Sequence, residues 1–293
     1  MLLGTLEAGG TKMVMGLTDE DGSILRRHTC PTRLPEETLQ DIIDFFNPHP
    51  IDALGIASFG PVDLNPASPT FGSITNTPKI PWRHFPLYDR LKSALNVPCA
   101  IDTDVNGAVL AEARLGAMQG LDNCLYVTVG TGIGGGVMSS GLLVHGLIHP
   151  EWGHTIISRH PDDPLLIGIC PSHDFCLEGY ASGTAMQARW NIPAKELPDD
   201  DFAWELESYY LAQLCVNAMM TVSPQRIVLG GGVMSRSSLF PKIRKTAFKL
   251  MGGYLSNPTA DEMDAFIVPP ALWPDSGLIG GALLAKQALE QEK

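Results

Sequence analysis

The sequence predicts an α/β fold with room for two domains, and three recurrences carry the prediction. The stretches LLGTLEAGGTK (Leu2 to Lys12), LYVTVGTGIGGG (Leu125 to Gly136) and RIVLGGGV (Arg226 to Val233) each pass from apolar, β-branched residues straight into glycines. Such a run reads as a buried strand ending in a turn whose backbone approaches something closely. Helical periodicity fills the intervening segments, and 293 residues can bury a sizeable core.

The middle stretch is the richest. Gly130, Gly132, Gly134, Gly135 and Gly136 read as one turn stripped of Cβ atoms. Its bare N–H groups are free to surround a phosphate, with the Thr131 hydroxyl among them. One glycine cluster alone is as readily a flexible turn, but three at strand ends favour a nucleotide site. Neither the P-loop spacing nor the dinucleotide spacing is matched.

In chain order, Leu2 to Leu17 alternates around the turn Ala8-Gly9-Gly10-Thr11, and Asp21-Gly22 marks a hairpin before a strand through Ile24. Glu36 to Phe46 has Leu39, Ile42, Ile43 and Phe46 at helical spacing, with acids in its first turn. Ile51 to Phe59 is a buried strand closed by Gly60-Pro61, and the Pro/Ser/Thr-rich Asn65 to Trp82 is a long loop of the kind that is often functional. Leu87 to Leu95 is a short helix. Val97 to Ile101 is a strand running into Asp102-Thr103-Asp104-Val105-Asn106 and a helix to Leu115, which places Asp104 at a strand–helix junction where capping is the plainest role for an acid.

After the central glycines come a hairpin at Ser139-Ser140-Gly141, the segment HGLIHPEWGHTIIS and a loop from Pro161 to Pro171. Trp204 to Val222 is a buried helix, and Arg226 to Met251 is a second strand–glycine–helix unit. Ile267-Val268 and Asp275 to Leu289 make a last strand and helix, where Gly277, Gly280, Gly281 and Ala282 permit close packing.

The formal net charge of −12 argues against nucleic acid or an anionic membrane as partner. No apolar run is long enough for a membrane span, and the first residues lack the pattern of a secretion signal, so the cytoplasm is expected. Of the cysteines, Cys30, Cys99, Cys124 and Cys215 are scattered in apolar surroundings as buried thiols would be. Cys170 and Cys176 stand close together and, with His173 and His154, form the set of thiols and imidazoles that zinc prefers in a closed tetrahedral site. With four protein ligands that site is structural. Glu151 and Glu178 flank it, and carboxylates converging with Asp104 on one pocket suit a ligand rich in hydroxyl donors, such as a sugar.

With these elements placed, the chain resembles the ROK family of sugar kinases, most closely its fructokinase branch. The motifs are EAGGTK (Glu7 to Lys12), ASFGPVD (Ala57 to Asp63), TNTPKIPW (Thr75 to Trp82), DTDVN (Asp102 to Asn106), VGTGIGGG (Val129 to Gly136), HPEWGH (His149 to His154) and GGGVM (Gly230 to Met234). The resemblance implies a two-domain actin/hexokinase-like (ribonuclease H-like) fold with an interdomain cleft, residues 1–117 plus 276–293 forming one domain and 118–275 the other. It implies Asp104 as general base for transfer of the γ-phosphate of ATP to fructose, giving fructose 6-phosphate.

Gly9, Gly10, Thr11 and Lys12 would meet the phosphates from one domain. Thr131 and Gly132 would meet them from the other, with Ser182, Gly183, Gly230, Gly231, Gly232, Val233 and Met234 beside the adenosine. Gly60, Pro61, Thr103, Glu151, His154 and Glu178 would line the sugar. Magnesium follows from the reaction class, held through Glu7, which stands where the family usually has aspartate. His173 replaces a more usual third cysteine at the zinc. A homodimer is common in the family. Other readings are a kinase for glucose, mannose or an N-acetylhexosamine, and a non-catalytic sugar sensor.

Overall fold

The computed structural model describes residues 1–199 and 201–291. β1 (Leu3–Ala8) turns at Gly9–Thr11 into β2 (Lys12–Thr18), and β3 (Ile24–Pro31) follows. α1 (Pro35–Phe46) starts on a proline with Glu36 and Glu37 in its first turn, and buries Leu39, Ile42 and Phe46. Then come β4 (Ala53–Ser58), α2 (Leu87–Leu95), β5 (Cys99–Thr103) and α3 (Asp104–Leu115). These strands form one sheet in the order β3-β2-β1-β4-β5. β1, β4 and β5 run parallel, and β2 and β3 complete the sheet as an antiparallel meander. Every residue of β4 is buried, as expected for a parallel strand covered on both faces.

A second sheet, in the order β10-β9-β6-β7-β8, is built from β6 (Cys124–Val129), β7 (Ile133–Ser139), β8 (Leu142–Leu143), β9 (Arg226–Gly230) and β10 (Ile267–Val268). With it go the helices α4 (Leu177–Ala181), α5 (Gly183–Trp190), α6 (Ala203–Thr221), α7 (Leu239–Met251) and α8 (Met263–Phe266). α6 is apolar almost all round, with Leu206, Tyr210, Leu211, Leu214 and Cys215 fully buried, because it packs on α4 and α7. The last helix, α9 (Ser276–Gln291), lies on the first sheet against β4 and α3. A Cβ on Gly55 would fall 1.8 Å from the Gly281 carbonyl oxygen, and one on Gly280 2.1 Å from that of Gly107. Only glycine allows these backbones to approach so closely.

The chain divides into two compact units: Met1–Leu115 with Leu143–Pro150 and Leu272–Lys293, and Gly116–Leu142 with Glu151–Ala271. The expected boundaries differ from this in three places, since Leu143–Pro150 and residues 272–275 go with the first unit and residues 116–117 with the second. The reason for the first lies in two histidines. His145 Nε2 is 2.9 Å from Asp102 Oδ2, and His149 Nε2 accepts the Val62 N–H at 3.2 Å. Residues 292–293 of the expected 276–293 stretch lie outside the described residues.

Candidate active site

Strand register decides what stands together in the first unit. Ala8 pairs with Ser58, and Ser58 with Thr103, so β1, β4 and β5 end at one edge of the sheet. The Gly9–Lys12 turn, the Phe59-Gly60-Pro61 segment and Asp104 therefore leave the sheet side by side. At the usual strand spacing, Asp104 is about 10 Å from the end of β1, which leaves room for a small polar ligand between. Ligands of open parallel sheets bind at such carboxyl ends.

The Gly9–Lys12 turn is braced from behind. Gly9 N–H donates to the Lys12 carbonyl at 3.0 Å, Thr32 Oγ1 donates to the Gly9 carbonyl at 2.7 Å, and Thr32 N–H donates to that of Thr11 at 3.0 Å. These bonds leave Gly10 and Thr11 at the tip. Glu7 ends up beside the first turn of α9, where a Cβ on Gly277 would meet its Cδ at 2.8 Å. Burial raises its carboxyl above the usual range, with Lys12 and Arg27 opposing.

Asp104 opens α3 and is half-buried, its Oδ1 accepting the Val105 N–H at 2.9 Å. The cap of the helix is its neighbour. Thr103 Oγ1 accepts the Asn106 N–H at 3.1 Å, so the residue expected to line the sugar has a capping bond. Beneath them Asp102 is buried. Its Oδ1 accepts the Thr103 N–H and the Asn106 side-chain amide, each at 2.7 Å, and its Oδ2 faces His145. His145 is raised above its ordinary value chiefly by that hydrogen bond, with burial opposing. Gly60 packs against His149, and the Pro61 carbonyl accepts the Thr75 N–H at 2.7 Å, which fixes the loop beside Asp104. The sequence reading missed Thr32, Asp102 as a support, His145 and His149. Thr32, His145 and His149 act across long separations, and only the HGLIHP spacing hinted at the last two.

In the second unit the central glycines separate into two roles. Gly130 to Gly132 form the turn, with Gly130 N–H donating to the Gly132 carbonyl at 2.9 Å. Gly134, Gly135 and Gly136 are strand residues of β7, paired with Thr128, Val127 and Tyr126. The expectation of one five-glycine turn is thus corrected. A Cβ on Gly135 would lie 2.8 Å from the Trp152 ring, so that glycine makes room for an indole rather than a ligand.

The register Thr128↔Gly230 aligns the ends of β6 and β9. Gly231, at φ +92°, is pressed so close to Val129 that a Cβ would fall 2.4 Å from its carbonyl oxygen, and Val233 and Met234 begin a short 3-10 helix behind it. α5 starts at the same place. Ser182 caps it by accepting the Ala185 N–H at 3.1 Å, Gly183 N–H donates to the Gly130 carbonyl at 2.7 Å, and Thr184 Oγ1 donates to the Thr131 carbonyl at 2.7 Å. The structure thus brings together Thr131, Gly132, Ser182, Gly183 and the Gly230–Met234 turn.

Glu178, in α4, points back at that turn, and its Oε2 accepts the Ile133 N–H at 2.9 Å. One of its oxygens is therefore committed to bracing the glycines, and Oε1 is the one left for a ligand. Glu151 stands near it at the start of the short helix Trp152–His154. Burial first, and the Glu178 charge second, push the Glu151 carboxyl up to about 7.

His154, Cys170, His173 and Cys176 have their donor atoms all within 4.8 Å of one another. Cys170 Sγ is 3.8 Å from His154 Nδ1 and 3.7 Å from His173 Nδ1, and Cys176 Sγ is 3.7 Å from His154 Nδ1. Tetrahedral zinc with ordinary Zn–S and Zn–N bonds spaces neighbouring sulfur and nitrogen ligands about 3.6 Å apart. The donor set and its spacing fit that metal. Backbone pairing holds the two ligand segments in place, since Ile156 bridges to Cys176 and Leu177 N–H donates to the Thr155 carbonyl at 3.0 Å.

Residues 3–288 match the ROK family. The chain belongs to that family and has its two-domain actin/hexokinase-like fold. It is similar to the fructokinase of Pediococcus pentosaceus, at 43% identity over 290 residues and 99% of each chain. It is likewise similar to the fructokinase of Zymomonas mobilis, at 42% over 295 residues, covering 98% of this chain and 97% of that one. Among solved structures, a ROK family glucokinase from Streptomyces griseus in complex with glucose and AMPPNP superposes with a TM-score of 0.79 at 26% identity, over 98% of this chain and 100% of that one.

Proposed function

We infer that the protein is an ATP-dependent fructokinase that makes fructose 6-phosphate. The alignment of the Gly9–Lys12 turn, the Gly60-Pro61 loop and Asp104 at one sheet edge is the observation that carries the chemistry. A phosphate cradled on the turn and a sugar hydroxyl at Asp104 suit in-line transfer. Asp104 accepts the proton of the attacking hydroxyl, and Gly10, Thr11 and Lys12 supply donors and charge to the phosphates. Within the second unit, Thr131 and Gly132 are the residues assigned to phosphate, and Ser182, Gly183 and Gly230 to Met234 those assigned to the nucleoside.

Sugar hydroxyls are assigned to Gly60, Pro61 and Thr103 in the first unit and to Glu151, His154 and Glu178 in the second. The preference for fructose over glucose is supported by relatives: fructokinases stand at 43% and 42% identity, the glucokinase at 26%. Zinc on His154, Cys170, His173 and Cys176 is structural. Bound there, it would take His154 through Nδ1, the nitrogen that lies near both sulfurs, and would leave Nε2 for a sugar hydroxyl. Magnesium bound with ATP would neutralise charge on the phosphates, and Glu7 is the residue that would hold it, directly or through water.

Among the described residues no disulfide joins any of the six cysteines, which suits a reducing compartment and the cytoplasm. Exposed Ile156, Leu166, Ile167 and Phe175 on the second unit suit a homodimer. A coupled ADP-release assay with magnesium and ATP against fructose, glucose, mannose and N-acetylglucosamine tests the reading. Fructose is expected to give the highest kcat/KM, and zinc-loaded protein that releases no ADP with any sugar sinks it.

A further inference from the structure

TNTPKIPW lies in the long loop after β4, and the chemistry above gives its lysine nothing to do. The loop carries Lys79 back over the first phosphate turn. A Cβ built on Gly10 would lie 3.4 Å from Lys79 Cε, ordinary van der Waals contact, and it is the nearest atom that position would meet. The ammonium is one bond further along.

Three anchors keep the lysine there. Its carbonyl accepts the Trp82 N–H at 2.8 Å. The Trp82 side chain is buried, donates through Nε1 to the Arg33 carbonyl at 2.9 Å, and meets the Phe59 and Phe85 rings edge-on at 5.7 and 5.3 Å. On the other side Thr77 is buried, and its carbonyl accepts Arg83 Nε at 2.8 Å. Lys79 itself is half-buried, and among the described residues no carboxylate pairs with its ammonium. A cation held over a bare glycine turn in this way suits a phosphoryl group.

We propose that Lys79 is a further phosphoryl-binding residue of this site, its ammonium contacting the group that is transferred. The inference rests on the kinase reading above for its substrate. The Gly9–Lys12 turn and Asp104 leave the sheet at the same edge, so the group between them is the terminal phosphate on its way to the sugar. A point charge there stabilises the negative charge spread over the oxygens of the group in transfer.

Lys79→Met and Lys79→Arg, both loaded with zinc, are to be compared with wild type in fructose turnover, and in calorimetric titrations with ATP, ADP and fructose 6-phosphate. The expected result for Lys79→Met is a kcat loss of roughly 10²-fold, with the fructose KM moved by less than about threefold. Lys79→Arg keeps the charge and recovers part of the loss. ATP affinity falls about tenfold or more while ADP affinity stays, which marks the terminal group; a matching loss for fructose 6-phosphate shows the same ammonium holding the group after transfer. Lys79→Met with kcat and ATP affinity within about twofold of wild type overturns the proposal, as does a loss confined to the fructose KM. Wild type that binds ATP but fails on fructose defeats the fructokinase reading, and the ATP-against-ADP comparison still decides the lysine.

Discussion

Asp104 owes its position to residues that do no chemistry. Thr103 caps the helix that Asp104 opens, and the buried Asp102 ties Thr103, Asn106 and His145 together. Asp104→Asn keeps the size and the Val105 N–H acceptor, so it is expected to fold normally and to lower kcat by about 10²–10⁴, with the fructose KM little changed. Steady-state rates beside a thermal melt check this, and a folded variant retaining half the wild-type kcat removes Asp104 as the base. His145 offers a pH prediction. Its folded value is raised by the Asp102 hydrogen bond, so its contribution to stability is complete below the unfolded value and is lost as pH rises through the folded one. The ring is partly exposed, so that contribution stays under about 1 kcal/mol. In urea unfolding, the stability gap between wild type and His145→Gln is expected to shrink between pH 6 and pH 8.5; a gap that widens contradicts the sign.

Among the elements, glycines divide by what lies opposite them. Gly231 and Gly232 are neighbours in one motif, yet a Cβ on Gly231 would strike Val129 backbone at a φ of +92°, while one on Gly232 would meet nothing within 4 Å. Gly231→Ala is expected to cost at least about 3 kcal/mol or to abolish folding, and Gly232→Ala less than about 0.5. Chemical denaturation of the pair separates them, and equal costs would refute the packing argument.

The same contrast explains what the sequence could tell. α2 was legible to the residue, because Leu87, Leu91 and Leu95 mark one face and Asn96 takes the left-handed cap. The metal set was legible from the spacing of Cys170, His173 and Cys176. Gly134 to Gly136 were misread as a turn because glycine is a poor strand former, and the indole of Trp152 that demands the lack of a side chain at Gly135 is remote in sequence. α5 went unseen because Gly183 and Thr184 at its start look like more loop, and only docking on Gly130 and Thr131 explains them. His145 against Asp102 and Lys79 over Gly10 are likewise contacts between distant residues, invisible to local pattern.

On the scale of the whole molecule, the units draw their order from different sources. The first rests on a sheet covered by α9 and α3, with glycines letting the backbones touch. The second carries a long segment, from Glu151 to Glu178, that contains little regular structure and several exposed apolar side chains, Ile156, Leu166, Ile167 and Phe175 among them. Such a segment buries too little to order itself, and cross-linking its ends through a metal is one way to hold it. A metal that binds only the folded state adds stability that grows with the logarithm of its affinity, so stripping zinc from zinc-loaded protein is expected to lower the melting temperature.

The loss is expected to be local first. Hydrogen exchange after chelation, or in Cys170→Ser, speeds up across residues 151–180 and leaves β1, β4 and β5 protected as before. Fructose KM rises in step, because Glu151, His154 and Glu178 all sit on the loosened segment, while ATP affinity, set largely by the glycine turns, changes less. Exchange that accelerates equally in both units would mean that the metal supports only the global fold, and the assignment of His154 and its two flanking glutamates to the sugar would lose its structural basis.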